Sequence, residues 1–146
     1  DIKSLAVKPI NKKSIGNKLL IKKILNNKKL EKINKNNLLI IHGDRLDGDI
    51  EKIINNNKIK RIIIGHEHPA VSIHEGIRQE LFKCFLKGRW KGKSLIVQPS
   101  FNLVTEGTDV MKERLLSPFL QQALGNFECF IVGDKVYNFG KLEKLE

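Results

Sequence analysis

KRIIIGHEHP, residues 60–69, is the stretch on which the fold turns. Three β-branched residues in a row, Ile62 to Ile64, read as a central strand buried on both faces, and Gly65 lets the backbone turn where that strand ends. His66 and His68 then emerge together at the carboxyl end of a strand, the place where open α/β sheets gather ligands and catalytic groups. Just upstream, NLLIIHGD at 37–44 repeats the plan, an apolar run that ends at His42 and a glycine. Between the two runs Asp47 is placed to cap a helix whose buried stripe is Ile50, Ile53 and Ile54, ended by the asparagines at 55 to 57. Strand, helix, strand predicts a right-handed βαβ unit with parallel strands and the histidine-bearing ends at one edge.

The fold class predicted is α/β: this parallel unit followed by mainly antiparallel strands, in a single domain spanning 1–146. Phe82 to Leu86, Ser94 to Val97, Glu128 to Val132 and Val136 to Phe139 read as short strands, with glycine-marked turns at GRWKGK (88–93) and at Gly133-Asp134. Lys112 to Leu124 has the pattern of a helix that Pro118 must interrupt. Before the first strand, residues 1–15 lack a period, and Leu20, Ile21, Ile24 and Leu25 predict a short amphipathic helix over 17–25.

At 146 residues, 40% hydrophobic and 29% charged, the composition is that of one soluble domain, with no apolar run as long as a membrane span or a signal-peptide core. Cys84 and Cys129 sit in apolar runs without a CxxC pairing, so two buried free thiols in a reducing, cytoplasmic setting are expected. The net charge of +11 is uneven: residues 1–41 hold eleven lysines against Asp1 and Glu31. This Lys/Asn/Ile-rich stretch, 1–36 above all, reads as a solvated face, since no aromatic precedes Phe82 to stack bases.

The chemistry rests on histidine and spacing. In an extended loop the two side chains of His-x-His project to one side, so His66 and His68 can each meet a different ion of a close metal pair, and His42 can share one of those ions. A lone histidine after a strand is more often a satisfied surface or core residue. Gly-His-x-His after an isoleucine run, with a second His-Gly upstream, is harder to read that way.

These motifs resemble the calcineurin-type metallophosphoesterases, and more narrowly their archaeal and bacterial ICC-like branch. The resemblance is carried by IIHGD at 40–44, GHEHPAV at 65–71, CFLKGRWKGKSLIVQPSFN from Cys84 and GTDV at 107–110, and it covers roughly residues 38–142. It implies half of a β-sandwich fold. It also implies hydrolysis of a phosphate ester, nucleotides and nucleic acid among the candidates, at a site of two divalent ions such as manganese, zinc, nickel or iron. Matched residue by residue, His42 and His66 would hold one metal and His68 the other. The family's motifs before His-Gly are not intact in this sequence: an Asp-x-His, a Gly-Asp with a bridging aspartate, and a Gly-Asn-His-Asp. Gly16 and Asn17 stand where a trace of the last would fall, followed by Lys18 and Leu19. The chain therefore looks like the C-terminal half of the fold, and without the bridging carboxylate three histidines are expected to hold one metal weakly.

Other residues have plainer readings. His74 reads as a surface histidine near a turn and Glu67 as pointing away from the metals. Asp44, Asp47 and Asp49 read as capping and surface charge. Arg89 and Trp90 read as the exposed tip of a hairpin. The rival function, from another class, is a non-catalytic basic module that binds nucleic acid or a partner chain through its lysine-rich N-terminus.

Overall fold

Ile62, Ile63 and Ile64 do form the centre of a strand, β2 (Arg61–Ile64), in a computed structural model that describes residues 37–145. It lies between two parallel neighbours. On one side β1 (Leu38–Ile40) pairs Leu39 with Ile62 and Ile40 with Ile63; on the other β5 (Lys93–Val97) pairs Leu95 with Ile62 and Val97 with Ile64. Ile62 and Ile64 are fully buried, as are Leu95 and Val97, while Ile63 is only half-buried. The strand is therefore sealed on one face and partly covered on the other, a correction to the expectation of burial on both.

The connection from β1 to β2 is the helix α1 (Gly48–Ile54), as the spacing predicted. Asp47 stands in extended backbone at its N-cap and its carboxylate accepts the Ile50 N–H at 2.9 Å, which satisfies one of the donors a helix start leaves unpaired. Asp49 and Glu51 in the first turn and Lys52 in the last suit the helix dipole, and Ile50 and Ile54 are buried.

The remaining strands are β3 (Pro69–Glu75), β4 (Arg78–Trp90), β6 (Thr108–Asp109), β7 (Glu128–Val132) and β8 (Val136–Lys141). With β1, β2 and β5 they make a mixed eight-stranded sheet, parallel over β1-β2-β5 and mainly antiparallel beyond, so the fold is mixed α/β. The thirteen-residue β4 pairs with β3 over its first half and with β5 and β7 over its second. Its turn into β5 has Trp90 opposite Lys93 and positive φ at both Lys91 and Gly92, the tight two-residue hairpin that the glycine signals. Cys84 and Cys129 are buried free thiols on the neighbouring strands β4 and β7.

Several expectations need correction. Residues 112–124 form no α-helix. Ser117 is held in extended backbone before Pro118, as proline's ring demands of the residue before it, and only a single 3-10 turn, Pro118–Leu120, follows. Trp90 is not at an exposed tip: it is 7% exposed and packs on Phe119, ring centroids 4.9 Å apart. Gly65, expected to let the backbone turn, does so without positive φ; the left-handed residues beside the histidines are Gly43 (φ 92°) and His68 (φ 52°). β3 and β6 were not anticipated. The helix expected over 17–25 and the pair Gly16-Asn17 lie outside the described residues. No helix among the described residues is long and apolar enough to cross a membrane.

Candidate metal centre

The parallel ladder of β1 and β2 runs on past both strands and carries two histidines with it. Ile41 N–H donates to the Ile63 carbonyl at 3.0 Å, and the His42 carbonyl accepts the N–H groups of Gly65 (3.0 Å) and His66 (2.9 Å). That clamp fixes the segments beyond the two strands side by side. The imidazoles meet as a result: His42 Nε2 lies 3.0 Å from His66 Nδ1, with the rings 4.8 Å apart and nearly perpendicular. His42 is exposed and His66 half-buried, so the pair is open to solvent on one side.

Two neutral imidazoles so placed share one proton, one nitrogen donating and the other accepting. The same spacing suits a cation. An ion that holds two imidazole nitrogens at about 2.0 to 2.1 Å keeps them roughly 2.9 to 3.4 Å apart, for angles from a right angle to tetrahedral. The separation of 3.0 Å falls in that range, so by distance the two nitrogens could serve as a donor pair for one divalent ion.

His68 is placed differently. Its backbone is left-handed, and its carbonyl accepts Thr108 N–H at 3.0 Å. Gly107 passes so close that a Cβ there would lie 2.6 Å from the His68 carbonyl oxygen. The loop before β6 thus fixes the His68 backbone. Among the described residues no three His, Cys, Asp or Glu side chains gather around one point, so the structure brings together His42 and His66 and leaves His68 outside that pair.

Glu67, between the two loop histidines, is a brace. Its side chain is 2% exposed, and Oε2 accepts the N–H groups of Leu116 (2.9 Å) and Ser117 (2.7 Å). The Ser117 hydroxyl in turn donates to the Gly43 carbonyl at 2.7 Å. The segment 116–117 therefore ties both histidine-bearing turns together. Gly43 itself lies against β2, where an added Cβ would come within 2.7 Å of Ile64 Cβ. A second buried acid, Asp109, does similar work behind β3: it accepts from the Ser72 hydroxyl and from Met111 N–H at 3.0 Å, while its own N–H donates to Glu113. Sequence reasoning placed Glu67 away from the metals but missed its partners, which lie about fifty positions downstream.

The plainer readings hold where they can be seen. His74 is exposed at the end of β3, with Lys112 Nζ 3.3 Å away, and Asp47 is a helix cap. Arg89 is exposed and donates to the Gly92 carbonyl at 2.8 Å. Burial and hydrogen bonding act on the thiols: the bond to Cys129, followed by desolvation, pushes Cys84 far above the ordinary thiol range. No protein-family model, curated protein or solved structure matches the chain.

Proposed function

We propose that this chain carries the histidine side of a metal-dependent phosphoesterase centre. The observation that supports the reading is the convergence of His42 and His66, from two parallel strand ends, at a separation suited to one divalent ion. The motifs that resemble the calcineurin-type metallophosphoesterases supply the class of reaction, and the backbone pairing of His42 with Gly65 and His66 supports it. In this reading His42 and His66 hold one ion, and His68 serves the second. A bound divalent ion would polarise a phosphoryl oxygen and lower the pKa of water.

The chain's own contribution is positioning. The His42 carbonyl clamp sets the two rings, and Glu67 with Ser117 holds the turns that carry them. The sequence has no upstream Asp-x-His or Gly-Asn-His-Asp, so the carboxylates that such a centre uses to hold two ions close are not supplied by those motifs. Affinity for a single ion at two imidazoles is expected to be micromolar or weaker.

Calorimetry tests both parts. Manganese titrated into the chain should give one binding event, lost in His42→Ala and in His66→Ala. Inorganic phosphate titrated into the manganese-loaded chain should give a further heat, absent without metal. Equal manganese heats in parent and variants would remove the histidine pair, and metal binding without phosphate binding would leave a metal site and remove the esterase.

A further inference from the structure

Away from the histidines, at the end of the sheet where β2 and β5 begin, seven of the sixteen basic residues outside 1–41 collect. Lys60 and Arg61 lead into β2 and Lys93 opens β5; Lys87 and Arg89 close β4, and Lys141 closes β8. With Lys91 of the β4–β5 turn they line one open groove of about 750 Å³, in which Glu128 is the one acid among the lining residues. Outside residues 1–41 the chain's net charge is only +2, so this clustering comes from the sheet topology and not from a general excess of lysine.

The strands whose ends form the groove are consecutive neighbours, β2-β5-β4-β7-β8. At about 4.8 Å between strands the row is roughly 19 Å across. Its internal ion pairs do not neutralise it. Lys87 reaches Glu128 at 2.8 Å, Lys91 reaches Glu51 at 3.4 Å and Lys141 reaches Glu143 at 3.5 Å, all about half exposed, where such pairs are weak and readily exchanged. Three of the seven cations have an acidic partner, which leaves Lys60, Arg61, Arg89 and Lys93 without one in the groove; these repel one another, and a polyanion would relieve that repulsion.

We infer that this groove binds the phosphate backbone of duplex nucleic acid. Its width separates a strand from a compact anion: the phosphates of one duplex strand advance about 3.4 Å along the axis while winding round it, so a row of this length faces several of them, whereas a single phosphate meets only a part of it. The lining separates a duplex from a single strand. Proteins that hold single strands stack bases on aromatic rings, and no aromatic side chain lines the groove, Trp90 being buried on Phe119. Contacts of this kind position a duplex without reading its sequence. The inference is independent of the histidine pair and of the lysine-rich residues 1–36.

Fluorescence anisotropy with a labelled 20-base-pair DNA of mixed sequence, on the full chain, tests it. Affinity should fall roughly a hundredfold between 50 and 200 mM salt if about four phosphates are contacted. Lys60→Glu with Arg89→Glu should weaken binding at least about tenfold with an unchanged thermal melt. Lys60→Gln with Arg89→Gln should show a smaller loss in the same direction and serves if the double reversal does not fold. Reversal of Lys22, Lys23, Lys28 and Lys29 should cost less than the groove reversal. Binding within about twofold of the parent in both groove variants, or a larger loss from the N-terminal reversal, would overturn the proposal. Displacement of the duplex by tripolyphosphate or by the single strand at equal phosphate concentration would likewise overturn the assignment to a duplex.

Discussion

Glu67 accepts the backbone N–H of Ser117 at 2.7 Å, and Ser117 answers by donating its hydroxyl to Gly43 on the other histidine-bearing turn. Glu67 and Ser117 are both buried, so the two bonds form a cross-brace shielded from water. Glu67→Ala would leave the N–H groups of Leu116 and Ser117 without their acceptor. The buried Ser117 N–H costs about 1 to 3 kcal/mol as an orphan and the part-buried Leu116 N–H less, so the variant should lose about 1 to 4 kcal/mol in urea denaturation. A midpoint equal to the parent's would mean that water or another acceptor takes the role.

The uneven burial of β2 makes a graded prediction. Ile64→Ala removes a fully buried side chain and should cost on the order of 2 to 5 kcal/mol. Ile63→Ala, on the half-covered face, should cost distinctly less. Denaturant midpoints measured side by side decide it; a larger loss at Ile63 would place the core on the other face.

Gly43→Ala couples stability to the imidazole pair. The new methyl would collide with Ile64 Cβ and would sit on a backbone at φ 92°, which alanine disfavours. The chain should lose on the order of 1 to 3 kcal/mol and, because His42 is the adjacent residue, its manganese heat should weaken. Retention of full metal affinity in a folded variant would show that the Gly43 turn does not position His42.

The two thiols should be inert in the folded state. Cys84 and Cys129 are fully buried; the Cys129 thiol and then desolvation push Cys84 up while the Cys84 thiol pulls Cys129 down, so the inertness of the pair rests on burial. A chromogenic disulfide reagent should label neither at neutral pH until denaturant unfolds the chain, then both. Prompt labelling of one thiol in native buffer would show that the β4–β7 contact opens.

What could be read from the sequence followed local chemistry. The isoleucine run, the Asp47 cap and the glycine turns each act within a few residues, and β1, α1, β2, β7 and β8 appeared where expected. The failures share a cause. β3 has no clean alternation: Ala70 and Val71 are buried side by side, and the strand exists through its pairing with β4. Residues 112–124 carry a helical spacing that Pro118 and the Glu67 brace override from a distance. The basic groove gathers cations from Lys60 to Lys141, each of which, taken alone, is an ordinary surface lysine or arginine.

β4 carries a further consequence, one of time. Its residues Leu86 and Lys87 are hydrogen-bonded to β5 on one side and β7 on the other, while its first half holds β3. Neither the parallel part nor the antiparallel part can peel away without exposing it. Amide protons near Leu86 should therefore be the last to exchange with heavy water, on the clock of whole-unit opening, while those of the short outer strand β1 escape sooner through local fraying.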